Sequence, residues 1–114
     1  MIRVKRAYDK PSSQDGVRFL VDRLWPRGVT KDALQIEGWL KSVSPSDELR
    51  KRFHGDPSQW QEFRRHYFAE LKKNPDAWAP IIAAAKKGTV TLVYAARDEE
   101  HNNAVALRDF LLQI

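Results

Sequence analysis

The sequence predicts an α/β domain built on a short sheet, mostly parallel or mixed. Residues 89–96 (TVTLVYAA) form a near-continuous apolar β-run, as expected of a strand covered on both faces. Stretches of helical periodicity stand before it, at 58–73, and after it, at 103–112. Helix, buried strand, polar loop, helix is the order that α/β folds use. The length of 114 residues suits one domain spanning 1–114, and its 42% apolar and 31% charged fractions lie in the globular range.

From the start of the chain, Ile2 and Val4 alternate with Arg3 and Lys5, the pattern of a short strand with one buried face. Residues 9–16 (DKPSSQDG) are turn chemistry throughout. Residues 17–24 (VRFLVDRL) read as a second strand, broken by Trp25-Pro26-Arg27-Gly28. The connection between these strands is too short for a crossover helix, which favours antiparallel pairing or non-adjacent positions. Residues 36–43 fit a short strand or a turn of helix. A helix then starts either with Ser44 as N-cap and Pro45 first, or with Ser46 as N-cap, and runs to about Phe53, stopping near Gly55. In the 58–73 helix, Trp60, Phe63, Tyr67, Phe68 and Leu71 form one apolar stripe. Asn74-Pro75 ends it and opens another, closed by Lys86, Lys87 and Gly88, whose true start Pro80 delays or whose axis it bends. The last helix, 103–112, packs with Ala104, Leu107 and Leu111.

Composition excludes several functions. The chain has no cysteine, so disulfides, thiolate metal sites and cysteine nucleophiles are out. No secretory or membrane-spanning stretch is visible, which makes the cytoplasm the expected location. No P-loop, G-x-G-x-x-G or G-x-S-x-G string occurs, and the three histidines lack metal-ligand spacing, so neither a cofactor nor a metal is expected. Formal net charge is +5, and its placement is uneven. Residues 1–31 hold eight Lys or Arg against three Asp, whereas the other 83 residues hold twelve of each sign.

Three constellations could carry chemistry. Arg23, Trp25, Arg27 and Lys31 follow a strand's carboxyl end, with Gly28 permitting close backbone approach. Guanidinium forks match phosphate or carboxylate, and an indole offers a stacking face. The competing structural reading is a strand-ending turn with Trp25 in the core. The loop 97–103 (RDEEHNN) lies between the buried strand and a helix N-terminus. There His101 could shuttle a proton while Asp98 orients it, or the residues could simply cap the helix. Arg64 falls inside the apolar arc of its helix, where it either snorkels past the core or aims at a buried site, with Tyr67 and Glu70 as hydrogen-bonding neighbours. Ser44 and Ser46 read as caps.

Together, residues 21–28 (VDRLWPRG), Lys31, 39–41 (WLK), 44–50 (SPSDELR), Phe63, Tyr67, Glu70 and Leu71, and 91–104 (TLVYAARDEEHNNA) resemble the YeaO-like family, within the bacterial domain-of-unknown-function family 488. The resemblance covers nearly the whole chain. It implies a small Rossmann-like three-layer sandwich and parallel pairing of the first two strands, and it assigns no reaction. The wider group commonly carries a C-H-R-type motif after its last strand. This chain has Glu100-His101-Asn102-Asn103 there, so only the histidine matches and no cysteine chemistry transfers.

The expected function is binding of an anionic small molecule bearing phosphate or carboxylate, nucleotide-derived ligands included. Arg23, Arg27 and Lys31 would hold the anion, with Arg64 a further candidate. Trp25 or Tyr94 would wall the pocket, and His101 with Asp98 would form the acid–base pair. The alternative is a nucleic-acid-binding module that uses the basic N-terminal quarter. Everything functional rests on the 25–28 turn and the His101 loop folding toward one cavity.

Overall fold

The structure, a computed structural model, describes residues 1–53 and 56–114. Four strands form one sheet: β1 (Ile2–Arg6), β2 (Val17–Leu20), β3 (Gly38–Trp39) and β4 (Val90–Tyr94). Their spatial order is β1-β4-β2-β3, and every pairing is parallel. Leu92 of β4 stands between Val4 and Phe19, and Phe19 in turn faces Gly38. The first two strands are therefore non-adjacent. The parallel pairing that the family resemblance implies for them is instead made by each with β4. The return needs no helix, because ten residues can reach about 33 Å, roughly twice the length of a five-residue strand.

That return is pinned at its end. Gly16 adopts φ +64°, and a Cβ there would lie 2.1 Å from the Thr89 carbonyl oxygen, so only glycine lets the chain enter β2 this close to β4. The Thr91 hydroxyl donates to the Asp15 carbonyl at 2.7 Å.

Five α-helices alternate with the strands among the described residues: α1 (Lys31–Leu34) between β2 and β3, α2 (Asp47–Arg52), α3 (Trp60–Lys72) and α4 (Pro75–Ala85) before β4, and α5 (Asn103–Leu111) after it. Alternation along β4 divides the core. Val90, Leu92 and Tyr94 join Phe19, Tyr67, Leu71, Ile81, Leu107 and Phe110 in the larger cluster, on the face covered by α3, α4 and α5. Val93 joins Leu20, Ala7 and Leu34 on the opposite face, flanked by Trp25 and Trp39. Both faces of β4 are thus covered, which is why its sequence is apolar almost without interruption.

Several boundaries differ from the sequence expectation for local reasons. β2 stops at Leu20, short of Leu24, because side-chain bonds take over from the ladder. Asp22 accepts the Ala95 N–H at 2.8 Å, and the Trp39 indole donates to the Asp22 carbonyl at 2.7 Å. Residues 36–43 resolve into β3 and a 3₁₀ turn, Lys41–Val43. The one-turn α1 was not anticipated; Thr30 caps it by accepting the Ala33 N–H. Of the two proposed caps for α2, Ser46 serves: its Oγ accepts the Leu49 N–H and donates to Glu70 at 2.5 Å. The stop expected near Gly55 lies outside the described residues. Pro75 opens α4 directly, and Pro80 lies within it without delaying its start. Among the described residues, no helix is long and apolar enough to cross a membrane.

Part of the basic N-terminal excess is consumed internally. Asp15 is fully buried, and its carboxylate accepts from Arg18 at 2.7 Å, from Lys5 at 3.2 Å and from the Ser12 N–H at 3.0 Å. Arg18, also buried, places its other two guanidinium nitrogens on the Leu34 carbonyl at 3.1 and 2.9 Å. Burial alone would raise the Asp15 carboxyl. The Ser12 N–H, Lys5 and Arg18 outweigh it and hold the group below the usual carboxylate range.

Candidate ligand pocket

The segments leaving β2 and β4 emerge side by side because those strands are neighbours pointing the same way. Both run into one pocket of about 760 Å³. Such a position, beyond the carboxyl ends of parallel strands, is where open α/β sheets usually receive ligands. Most of its lining comes from the 22–27 turn, the 95–103 loop, and the ends of α2 and α3, with Tyr8, Ser44, Pro45, Asp56 and Pro57 adding to it. Of the residues singled out from sequence, Arg23, Trp25, Arg27, Asp98 and His101 line it together.

The turn is shaped by its own residues. Trp25 donates its indole N–H to the Val29 carbonyl at 2.6 Å and meets Trp39 edge to face, with centroids 5.4 Å apart. It is therefore both a core-flanking residue and a pocket wall. Gly28 adopts φ +79°, and a Cβ there would meet nothing within 4 Å. The glycine is required for its left-handed backbone. Tyr8 ties the turn to the end of β1 by donating to the Arg27 carbonyl at 3.0 Å.

The opposite loop is organised by Asp98. One carboxylate oxygen accepts the N–H groups of Glu100 and His101, each at 2.9 Å, while the other lies 3.0 Å from the His101 Nδ1. The backbone donors of His101 and Glu100, then the imidazole, hold Asp98 below the usual carboxylate range. The His101 ring is half-buried and meets Trp60 edge to face at 5.2 Å. With Nδ1 engaged by Asp98, Nε2 is the nitrogen left for another partner. Behind it Asn102 caps α5 by accepting the Val105 N–H, and Asn103 donates to the Val21 carbonyl at 3.1 Å.

Charge is unevenly satisfied around the pocket. Arg23 forms an ion pair with Asp47 at 2.9 Å, and Arg50 reaches the same carboxylate at 3.7 Å. Arg27 and Arg97 are exposed and make no ion pair among the described residues. Asp22 likewise has no ion-pair partner among the described residues. Burial pushes its carboxyl above the usual range, opposed by the Ala95 N–H, the Asn103 amide and the nearby Arg50 charge.

Three sequence candidates lie elsewhere. Tyr94 is the last residue of β4 and faces the helix-covered side, where it is 2% exposed, so it belongs to the core. Lys31 opens α1 and does not line the pocket. Arg64 turns toward α5, where it pairs with Asp109 at 3.2 Å and lies 5.1 Å from the Phe68 ring centre. It snorkels, and Glu70, its suggested partner, is taken by Ser46.

Sequence reasoning missed the aromatic wall. Trp60 and Phe63 stack with centroids 5.7 Å apart, and Phe53 meets Phe63 edge to face at 6.3 Å. The signal was present, since Trp60 and Phe63 occupy the first turn of the α3 stripe and are only partly buried.

Fold and pocket together define a parallel α/β domain with an arginine- and aromatic-lined cavity at the carboxyl ends of its central strands. The chain belongs to the DUF488 family: the family model described as "Inactive DUF488-N3 subclade" matches residues 1–114. The protein named "Uncharacterized protein YeaO" from Escherichia coli (strain K12) is 44% identical over 110 residues, which span 96% of each chain. The "Uncharacterized protein Rv3073c" of Mycobacterium tuberculosis (strain ATCC 25618 / H37Rv) and "Uncharacterized protein Mb3100c" of Mycobacterium bovis are each 37% identical over 110 residues, covering 96% of this chain and 92% of theirs. No solved structure matches the chain.

Proposed function

We propose that this protein binds a small anionic ligand, phosphate- or carboxylate-bearing, in the pocket beyond β2 and β4, and holds it without turnover. The supporting observation is the convergence of the 22–27 turn and the His101 loop on one cavity, with two unpaired guanidinium groups at its exposed rim. Arg27 and Arg97 supply the anion contacts, and a guanidinium fork binds two oxygens of phosphate or carboxylate at once. Trp25 and the Trp60–Phe63 stack offer flat faces for the ligand's body, which suits a nucleotide-derived molecule. The Asp98-bound imidazole of His101 adds a hydrogen bond through Nε2. The word "inactive" in the family description and the absence of any thiol favour binding over catalysis.

A thermal-shift panel of nucleotides and metabolites, run on the wild-type, Arg27→Ala and His101→Ala proteins, tests the reading. At least one phosphate-bearing compound should raise the melting temperature of the wild type and do so less for either variant. Identical shifts in all three proteins, or none in the wild type, would remove the proposal.

A further inference from the structure

The same pocket carries a second, opposite demand. Asp22 lines it just beyond the end of β2, and its side chain is half-buried. One oxygen accepts the Ala95 N–H at 2.8 Å, and the Asn103 amide supports the carboxylate as well. No Lys, Arg or His nitrogen comes within 4 Å of it among the described residues, and Arg23 and Arg50, which line the same pocket, pair with Asp47. A desolvated carboxylate without a cation is costly, and a ligand that brings an N–H or O–H to it recovers part of that cost. Asp15 shows what this chain does with a carboxylate kept for structure: it surrounds the group with Lys5, Arg18 and a backbone N–H. Asp22 has no such enclosure.

Resting on the binding reading above, we infer that Asp22 sets ligand specificity. On this inference the pocket selects molecules that pair an anionic group, at Arg27 and Arg97, with an N–H or O–H donor at the inner end. Phosphorylated nucleosides and sugars have this dipolar pattern. A bare aromatic phosphate has the anion and the ring but no donor, and the uncompensated Asp22 carboxylate would then oppose its entry.

The test compares uridine 5′-monophosphate with phenyl phosphate, two phosphate monoesters with flat rings, by calorimetric titration of the wild type and of Asp22→Asn. The wild type should prefer the nucleotide by on the order of tenfold or more, the range expected for a hydrogen bond to a charged group. Asp22→Asn, which keeps an oxygen for the Ala95 N–H, should bring the two affinities within about threefold of each other, chiefly by weakening the nucleotide. Equal wild-type affinities, or a preference that survives Asp22→Asn, overturn the inference and leave simple anion binding standing. Failure of both probes to bind the wild type overturns the inference and the binding reading together. Should Asp22→Asn not fold, the wild-type ratio alone decides.

Discussion

Two ionic regions of this molecule are built from the same residue types and satisfied in opposite ways. Beneath the sheet, Asp15 sits at 0% exposure with Lys5, Arg18 and the Ser12 N–H around it, while Arg18 spends its remaining donors on the Leu34 carbonyl. At the carboxyl ends of β2 and β4, Asp22 has the Ala95 N–H and the Asn103 amide but no ion pair, and Arg27 and Arg97 pair with no carboxylate, among the described residues. The first region is closed, and its charges hold β1, β2 and the preceding turn together. The second is open, and its charges remain available to a ligand. Local completeness of hydrogen bonding separates an enclosed charge from an open one here; residue type does not.

The largest expected effect comes from breaking the closed region. Asp15→Ala leaves Arg18 buried without its carboxylate, and removing one partner of a buried pair typically costs about 3–5 kcal/mol. Against a total stability of about 5–15 kcal/mol for a domain, the variant should show a much lower denaturant midpoint, or fail to accumulate as folded protein. A chemical denaturation curve checks this.

The pH dependence follows with its sign. Asp15 lies below the usual carboxylate range in the folded protein, so the folded state binds its proton more weakly than the unfolded chain. Its contribution is full above the ordinary carboxylate value and is lost as pH falls through the folded value, in the region of about pH 4 and below. Asp22 lies above the usual range, so the folded state binds its proton more tightly. The stability it withholds at neutral pH is regained as pH falls through its raised value. Melting temperatures measured across the acid range should therefore fall less steeply for Asp15→Asn than for the wild type. Asp22→Asn should be at least as stable as the wild type at neutral pH, and a clear destabilisation there would contradict the contrast.

The smallest effect belongs to the rim. Arg27 is exposed and its side chain has no partner among the described residues. Arg27→Ala should stay within about 0.5 kcal/mol of the wild type in a denaturant titration, as surface substitutions usually do. A larger loss would mean that this arginine is structural after all.

How far the sequence reveals this arrangement depends on whether the relevant bonds are local. β4, α3, α4 and α5 are legible from periodicity, and side-chain type marks a cap at Ser44 or Ser46 and another within 97–103, while the structure selects Ser46 and Asn102. The meeting of the 25–28 turn with the His101 loop could be anticipated because each follows a strand. Its realisation required those strands to be neighbours, which depends on β4 entering between β1 and β2. Tyr94 faces the helix-covered core and not the pocket, a choice that strand alternation alone does not reveal. Arg64's place in the apolar arc does not reveal its partner, which lies on α5, 45 residues away in sequence. The Asp15 cluster escaped notice for a related reason: residues 9–16 read as turn chemistry, and nothing in that pattern marks one aspartate as the centre of a buried network.

The central claim is that the open region receives a ligand. Its most direct test is a ¹H–¹⁵N correlation spectrum of the wild-type protein titrated with uridine 5′-monophosphate. Saturable shifts should appear at the backbone amides of Arg27, Ala96, Arg97 and His101 and at the Trp60 indole, with the Asp15 and Arg18 amides unmoved. An unchanged spectrum at millimolar nucleotide, or shifts confined to other parts of the surface, would contradict it.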